Sequence, residues 1–277
     1  MSRLAGRRVI LTGAGGGIGS ALATILIEQG ARLMLLGRNP EALAQQARTL
    51  GAGTGHAVLD LRHADQLDAL PGRVAQQLGA ADTLVHCAGA GHFGPFEACR
   101  PDDIERLIEV NLTGPIRLTH ALLPMLLKQP SPQLVLVGSA LGRIGYPGQA
   151  TYCASKAGLH RFGEAIRREY RDQGLRVVHV APRATATAFN STAQQATNRR
   201  LKVAEDPTDR VAHAIVEAMT RNRIETVLGF PEWLATRLNQ WMPGLFDRVF
   251  ATHAEVMRDE SARAAQLPGN AIEGVRK

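Results

Sequence analysis

The sequence predicts an α/β protein, one doubly wound parallel sheet followed by a helical C-terminal extension. Three observations carry this expectation. Short apolar runs of strand type alternate with helical stretches along most of the 277 residues, the pattern of a parallel sheet covered on both faces. A glycine-rich turn, Gly13-Ala14-Gly15-Gly16-Gly17-Ile18-Gly19, lies directly between the first strand and the first helix. Pro and Gly are spread along the chain, with no internal repeat or low-complexity block to mark a second unit. Residues 1–229 are therefore expected to form one domain, with 230–277 as a helical extension.

The elements follow in order. Arg8 to Leu11 is the first strand, and Ser20 to Gln29 reads as a helix ended by Gly30. Arg32 to Gly37 is a second strand; Pro40 to Leu50 is its helix, with Pro40 in a first turn that needs no N–H there. Gly55 to Asp60 and Asp82 to Cys87 are the third and fourth strands, separated by a helix from Ala64 to Leu78. One helix is expected from Pro101 through Asn111 to Lys128, then a fifth strand from Gln133 to Ser139. A helix carrying Tyr152 and Lys156 runs to about Gln173, and Leu175 to Ala181 is the sixth strand. From Pro182 to Pro207 the pattern lapses, with Phe189 and Leu201 as the largest apolar residues. A long structureless stretch inside a compact domain is usually functional, often a lid. Thr208 to Arg221 resumes as a helix, and Glu225 to Leu228 is the last strand. Beyond Gly229, Trp233, Leu234, Leu238, Trp241, Leu245, Phe246, Val249 and Phe250 recur at roughly helical spacing. Such a stripe reads as core or subunit interface, with a membrane-surface contact as the sharper alternative.

Composition narrows the classes. The net charge is +7, but Lys and Arg are dispersed and not interleaved with aromatics, so nucleic-acid binding is not expected. The basic surface would at most steer an anionic cofactor or substrate. No run approaches the ~20 apolar residues that span a bilayer, and the first strand starts too near Met1 for a secretory signal. Cys87, Cys99 and Cys153 show neither metal nor disulfide spacing, so reduced thiols, no metal and a cytoplasmic location are expected.

Two sets of residues point to chemistry. Tyr152 and Lys156 sit four apart on one helix face. A phenol titrates near ~10; an ammonium beside it favours the phenolate, giving a group that exchanges a proton with a substrate oxygen. Strand, glycine turn and helix together are the context of a dinucleotide site of Rossmann type. Gly13, Gly15, Gly17 and Gly19 would let the backbone approach a pyrophosphate seated at the positive helix end, beside Ile18. Roughly 20 residues beyond the turn an NAD site places an acidic residue on the ribose. Here Gly37 stands at the strand end and Arg38 next, which favours NADP(H) over NAD(H) by pairing with a 2′-phosphate.

Together these pieces resemble the short-chain dehydrogenase/reductase family, over about Arg8 to Leu228. Thr12-Gly13-x-x-x-Gly17-x-Gly19 is similar to the family's cofactor turn. Asp60, followed by Leu61, matches its adenine-contacting acidic residue, and Ala88-Gly89 matches the end of its strand-four motif. Asn111, Ser139, Tyr152 and Lys156 fall where the family keeps its catalytic four. The resemblance implies reversible hydride transfer between nicotinamide and a small-molecule carbonyl or alcohol. Tyr152 would carry the proton and Ser139 would hold the substrate oxygen. Lys156 would lower the Tyr152 pKa and grip the ribose, and Asn111 would support a proton-carrying water. Pro182, Thr185 and Thr187 would line the nicotinamide, and a homodimer or homotetramer is implied.

Two residues depart from the family pattern. Cys87 replaces an amide that braces the sheet, and Arg183 replaces the glycine after Pro182. Arginine resists glycine's positive-φ conformations, so the loop is expected to run differently, with Arg183 reaching a phosphate or substrate carboxylate, or facing solvent. The substrate wall is expected from Phe93, Phe96, Ile144 and Tyr146, with His92 as a polar contact. No motif selects among an acyl thioester, a steroid-like ketone and a smaller aldehyde. A non-catalytic cofactor sensor and a membrane-surface lipid carbonyl reductase are the alternative readings.

Overall fold

The structure, a computed structural model, describes residues 4–266. Seven parallel strands form one sheet: β1 Arg8–Thr12, β2 Arg32–Gly37, β3 Thr54–Val58, β4 Thr83–His86, β5 Gln133–Val137, β6 Arg176–Ala181 and β7 Glu225–Val227. Their spatial order is β3-β2-β1-β4-β5-β6-β7. The chain therefore reverses direction across the sheet between β1 and β4, which opens a crevice at their carboxyl ends. All five residues of β5 are buried, as a strand covered on both faces requires. Helices α1 Gly17–Glu28 and α8 Thr208–Arg221 pack together on one face. On the other lie α3 Ala64–Leu78, α5 Gly114–Leu127 and α6 Ala150–Glu169; α2 Pro40–Leu50 flanks the β2–β3 edge.

Three expectations change. The helix from Pro101 is α4 Pro101–Ile108 joined to α5 by a π-helical turn, Glu109–Thr113. Such a one-turn bulge, common at functional sites, carries Asn111, which is fully buried. The 182–207 stretch is not structureless: it holds α7 Thr192–Arg200, capped by Ser191 Oγ accepting from Gln194 N. Its buried residues are Ala193, Thr197 and Asn198, so no apolar stripe announces it. Finally, β5 stops at Val137, and Ser139 instead caps a short 3₁₀ turn, Ala140–Gly142, accepting from Leu141 N at 3.1 Å.

Within the described residues the extension forms two helices, α9 Phe230–Trp241 and α10 Pro243–Gln266, and its expected continuation to 277 lies outside them. Its apolar stripe divides. Phe250 turns inward onto Tyr146 with Phe246 beside it, whereas Trp233, Leu234, Leu238, Trp241, Leu245 and Val249 face outward, Trp241 being 84% exposed. Among the described residues no helix is long and apolar enough to cross a membrane.

Candidate active site

The glycine turn is held by close approach. Gly13 has φ +69°, and a Cβ there would lie 2.6 Å from Ala88 Cα. A Cβ on Gly19 would run into the Gly13 carbonyl, and one on Gly17 would meet the Thr187 methyl at 2.9 Å. Gly15 faces open space. Gly16 caps α1 without a side chain, and no acidic residue occupies the first turn, so the helix N-terminus presents its N–H groups to an anion. Thr12 Oγ1 accepts from the amides of Cys87 (3.1 Å) and Ala88 (3.2 Å). That hydroxyl ties β1 to the end of β4, a brace that does not need the side chain at Cys87. The Cys87 thiol itself is pushed up to about 12 by burial, which keeps it neutral and unreactive.

At the far end of β2, Arg38 is exposed. Asp60 is gripped by Arg62 through Nε (3.1 Å) and Nη2 (2.7 Å). The Arg62 hydrogen bond, with a lesser contribution from the positive field of Arg38, holds its carboxyl below the usual range. Arg62 was not anticipated; its position two residues past Asp60 was the available signal. Leu61 is buried, directly behind Gly114.

The reactive groups gather beside Gly89. Asn111 Oδ1 accepts from Ala90 N at 2.7 Å, and Nδ2 donates to Ala90 O (2.8 Å) and Ser155 Oγ (3.1 Å). Both amide protons are committed, so the side chain pins the segment after β4. Lys156 Nζ donates to Val137 O at 3.2 Å and stands over the Tyr152 ring, 5.8 Å from its centroid. Burial lowers its pKa to about 8.

Tyr152 departs from expectation. Burial pushes the phenol up to about 12, outweighing a hydrogen bond with Ser139 that works downward. The cover includes Phe189, whose ring lies 6.0 Å from that of Tyr152. Phe189 also fills the place of a Gly91 Cβ, 2.8 Å from its Cε1. Phe189 was not among the expected site residues, although it was already conspicuous as a large apolar residue in a polar stretch. The void beside Tyr152, next to His92, Phe96 and Gln149, is about 20 Å³, room for about one water. The site is shut.

Of the expected wall, Ile144 is buried, His92 and Phe93 are half-buried, and Phe96 is 60% exposed. Burial lowers the His92 pKa. Tyr146 is engaged by α10: its ring packs edge-on to Phe250, and its hydroxyl lies 3.2 Å from His253 Nδ1. Pro182 O accepts from Ala140 N, and Thr185 Oγ1 donates to Arg183 O. Arg183 neither faces solvent nor adopts positive φ: it pairs with Asp206 through two hydrogen bonds. Beside β6 and β7, His160, His179 and Glu225 bring ligand atoms within 4.8 Å of one another. Arg143 takes the cation's place there, 2.6 Å from His160 Nε2 and ion-paired with Glu225.

A doubly wound α/β fold with a glycine cradle at its switch point, and Tyr, Lys, Ser and Asn beside it, defines a nucleotide-dependent oxidoreductase class. The short chain dehydrogenase model matches residues 7–198, and the chain belongs to that family. It is 30% identical over 266 residues to "Dehydrogenase/reductase SDR family member 7B" of Bos taurus, covering 90% of this chain and 82% of that protein. "Nodulation protein G" of Rhizobium meliloti is 36% identical over 182 residues, 66% of this chain and 74% of that protein. Among solved structures, a short chain dehydrogenase/reductase from Burkholderia phymatum in complex with NAD has a TM-score of 0.80 at 23% identity. It covers 88% of this chain and 96% of that one. A short-chain dehydrogenase from Streptomyces avermitilis has a TM-score of 0.75 at 25% identity, covering 95% and 100%. The family acts on CH–OH and C=O groups of small molecules with a nicotinamide cofactor, and this chain is an oxidoreductase of it.

Proposed function

We propose that this chain is an NADP(H)-dependent carbonyl/alcohol oxidoreductase in which Tyr152 is the general acid/base. The observation that carries the reading is the convergence of Tyr152, Ser139 and Lys156 beside Gly89, at the mouth of the glycine cradle. The cradle fits the cofactor: Gly13, Gly17 and Gly19 leave space that any Cβ would fill, and α1 offers an uncapped N-terminus. Gly13, Gly15, Gly17, Ile18 and Gly19 would take the pyrophosphate. Arg38 would take the 2′-phosphate, with Arg62 and Asp60 alongside. Ala88, Gly89, Pro182, Thr185 and Thr187 would line the nicotinamide end. The bound cofactor supplies the hydride acceptor or donor.

The chain's own residues do the rest. In the reductive direction Tyr152 gives its proton to the carbonyl oxygen while Ser139 holds that oxygen by hydrogen bond. Lys156, charged and close to the ring, stabilises the phenolate that remains. Asn111 keeps the cleft wall fixed, and the second lone pair of Oδ1 is its position for a relay water. Phe189 flanks the approach to Tyr152, and closed over a bound substrate it would exclude water. The NAD bound to the Burkholderia protein belongs to a chain only 23% identical, and the preference here rests on Gly37 and Arg38. The test is fluorescence titration with NADPH and NADH, on wild type and Arg38→Ala, with turnover of wild type and Tyr152→Phe on a panel of carbonyls. Tight NADPH binding without turnover on any carbonyl would favour a non-catalytic sensor.

A second reading has its own observation. The outward stripe of α9 and α10 includes two tryptophans, which favour bilayer interfaces, so the chain would work as a membrane-surface reductase of lipid carbonyls. Flotation with anionic and neutral liposomes tests it. Recovery only in the dense fraction, with dimers or tetramers by light scattering, would assign the stripe to a subunit interface.

A further inference from the structure

Arg183, the residue that departs from the family pattern, sits where three segments meet. Its Nε and Nη2 donate to Asp206 Oδ2 and Oδ1 at 3.0 and 2.8 Å. Asp206 is 3% exposed and lies at the other end of the 183–206 stretch. The backbone closes the same junction: Asp206 N donates to Ala184 O at 2.9 Å, and Ala186 N to Asp206 O at 3.1 Å. Arg183 Nη1 then reaches Glu232 Oε1 on α9 at 3.5 Å. Its Cδ lies 3.1 Å from where a Cβ of Gly229 would be, just where the extension leaves the sheet. Near the end of α7, Arg200 pairs with Asp259 and Glu260 of α10 at 3.0 and 3.2 Å. Between these two ties hang Thr185, Thr187 against Gly17, and Phe189 against Gly91 and Tyr152.

We infer that Arg183 is the positioning residue of the lid, a latch that fastens both of its ends to the C-terminal extension and so sets Thr185, Thr187 and Phe189 over the site. The inference deepens the proposed function and rests on it for the kinetic consequence alone. A buried, bidentate, charge-assisted pair is geometrically demanding and strong, and removing one partner leaves the other's charge buried with weaker compensation. Arg210 at 3.2 Å from Asp206 is 67% exposed and supplies only part of that compensation. Without the latch α7 stays packed on α10 and paired through Arg200, while the 183–191 segment bearing Thr185, Thr187 and Phe189 keeps only the backbone hydrogen bonds at Asp206 to hold its base.

Limited trypsin digestion of the full-length protein reads the latch without any cofactor or substrate, because Arg199, Arg200 and Lys202 place cleavage sites within the lid. Arg183→Ala should be cut there at least ~10-fold faster than wild type, and Arg183→Lys, which keeps the charge but loses the fork, at an intermediate rate. Glu232→Gln, a milder change, guards against a variant that fails to fold. In turnover, KM for NADPH should rise ~10-fold or more in Arg183→Ala while kcat changes far less. A merely structural role would lower Tm without that split. Wild-type digestion in both Arg183→Ala and Glu232→Gln, with unchanged KM, would overturn the latch. If wild type shows no turnover at all, the oxidoreductase reading fails and digestion still decides the latch.

Discussion

Replacing Phe189 by Ala should unmask Tyr152. Burial moves the phenol from 10.0 to about 12, a rise of ~2 pH units that corresponds to about 2.7 kcal/mol against the phenolate. Phe189 is the lid side chain packed beside that ring, and without it water reaches the hydroxyl. Most of the rise should then disappear, while the Ser139 hydrogen bond keeps working downward, so Tyr152 should titrate at or below ~10. The stability consequence has a definite sign. A phenol whose folded pKa is raised stabilises the fold fully below the unfolded value and loses that contribution as pH climbs from ~10 through about 12. Wild type should therefore lose stability over that alkaline window, and Phe189→Ala should lose less. The assay is ultraviolet titration of phenolate in the ligand-free protein, taken as the difference between each protein and its Tyr152→Phe counterpart. A Tyr152 that still titrates near 12 in Phe189→Ala would refute the lid as the source of the shift.

Three further outcomes follow from the same geometry. Tyr152→Phe should reduce turnover by roughly 10²–10⁴-fold, the usual contribution of a positioned acid, with NADPH affinity nearly unchanged in the titration. Arg38→Ala should weaken NADPH binding by ~10-fold or more, the scale of a lost charge-assisted phosphate contact, and leave NADH binding nearly as it was. Lys156 is lowered from 10.5 to about 8, so the unfolded chain holds the extra proton between those values, and stability rises with pH across that window by up to about 3 kcal/mol. Denaturant titrations of wild type and Lys156→Met should differ in that slope; parallel curves would count against the burial assigned to the ammonium.

The sheet was legible because parallel strands covered on both faces leave little choice of residue: Gln133 to Val137 is apolar after its first position, and every one of the five is buried. The glycine turn and the Tyr152/Lys156 spacing were legible for a related reason, since each is a local pattern whose geometry the backbone fixes. What escaped depends on partners distant in sequence. Tyr152 packs beside a ring from residue 189, and the partner of Arg183 lies at Asp206. The helix α7 turns Ala, Thr and Asn inward, so its amphipathic signal is absent. The π turn around Asn111 has no compositional mark at all.

The contact between Gly13 and Ala88 bears on how this chain can diversify. With backbone against backbone where a single carbon would intrude, the phosphate-binding turn and the reactive strand end form one solid piece. On the function proposed above, changes of cofactor preference would be directed to the outer rim at Arg38. Changes of substrate would be left to the lid, where side chains can be exchanged without disturbing that joint.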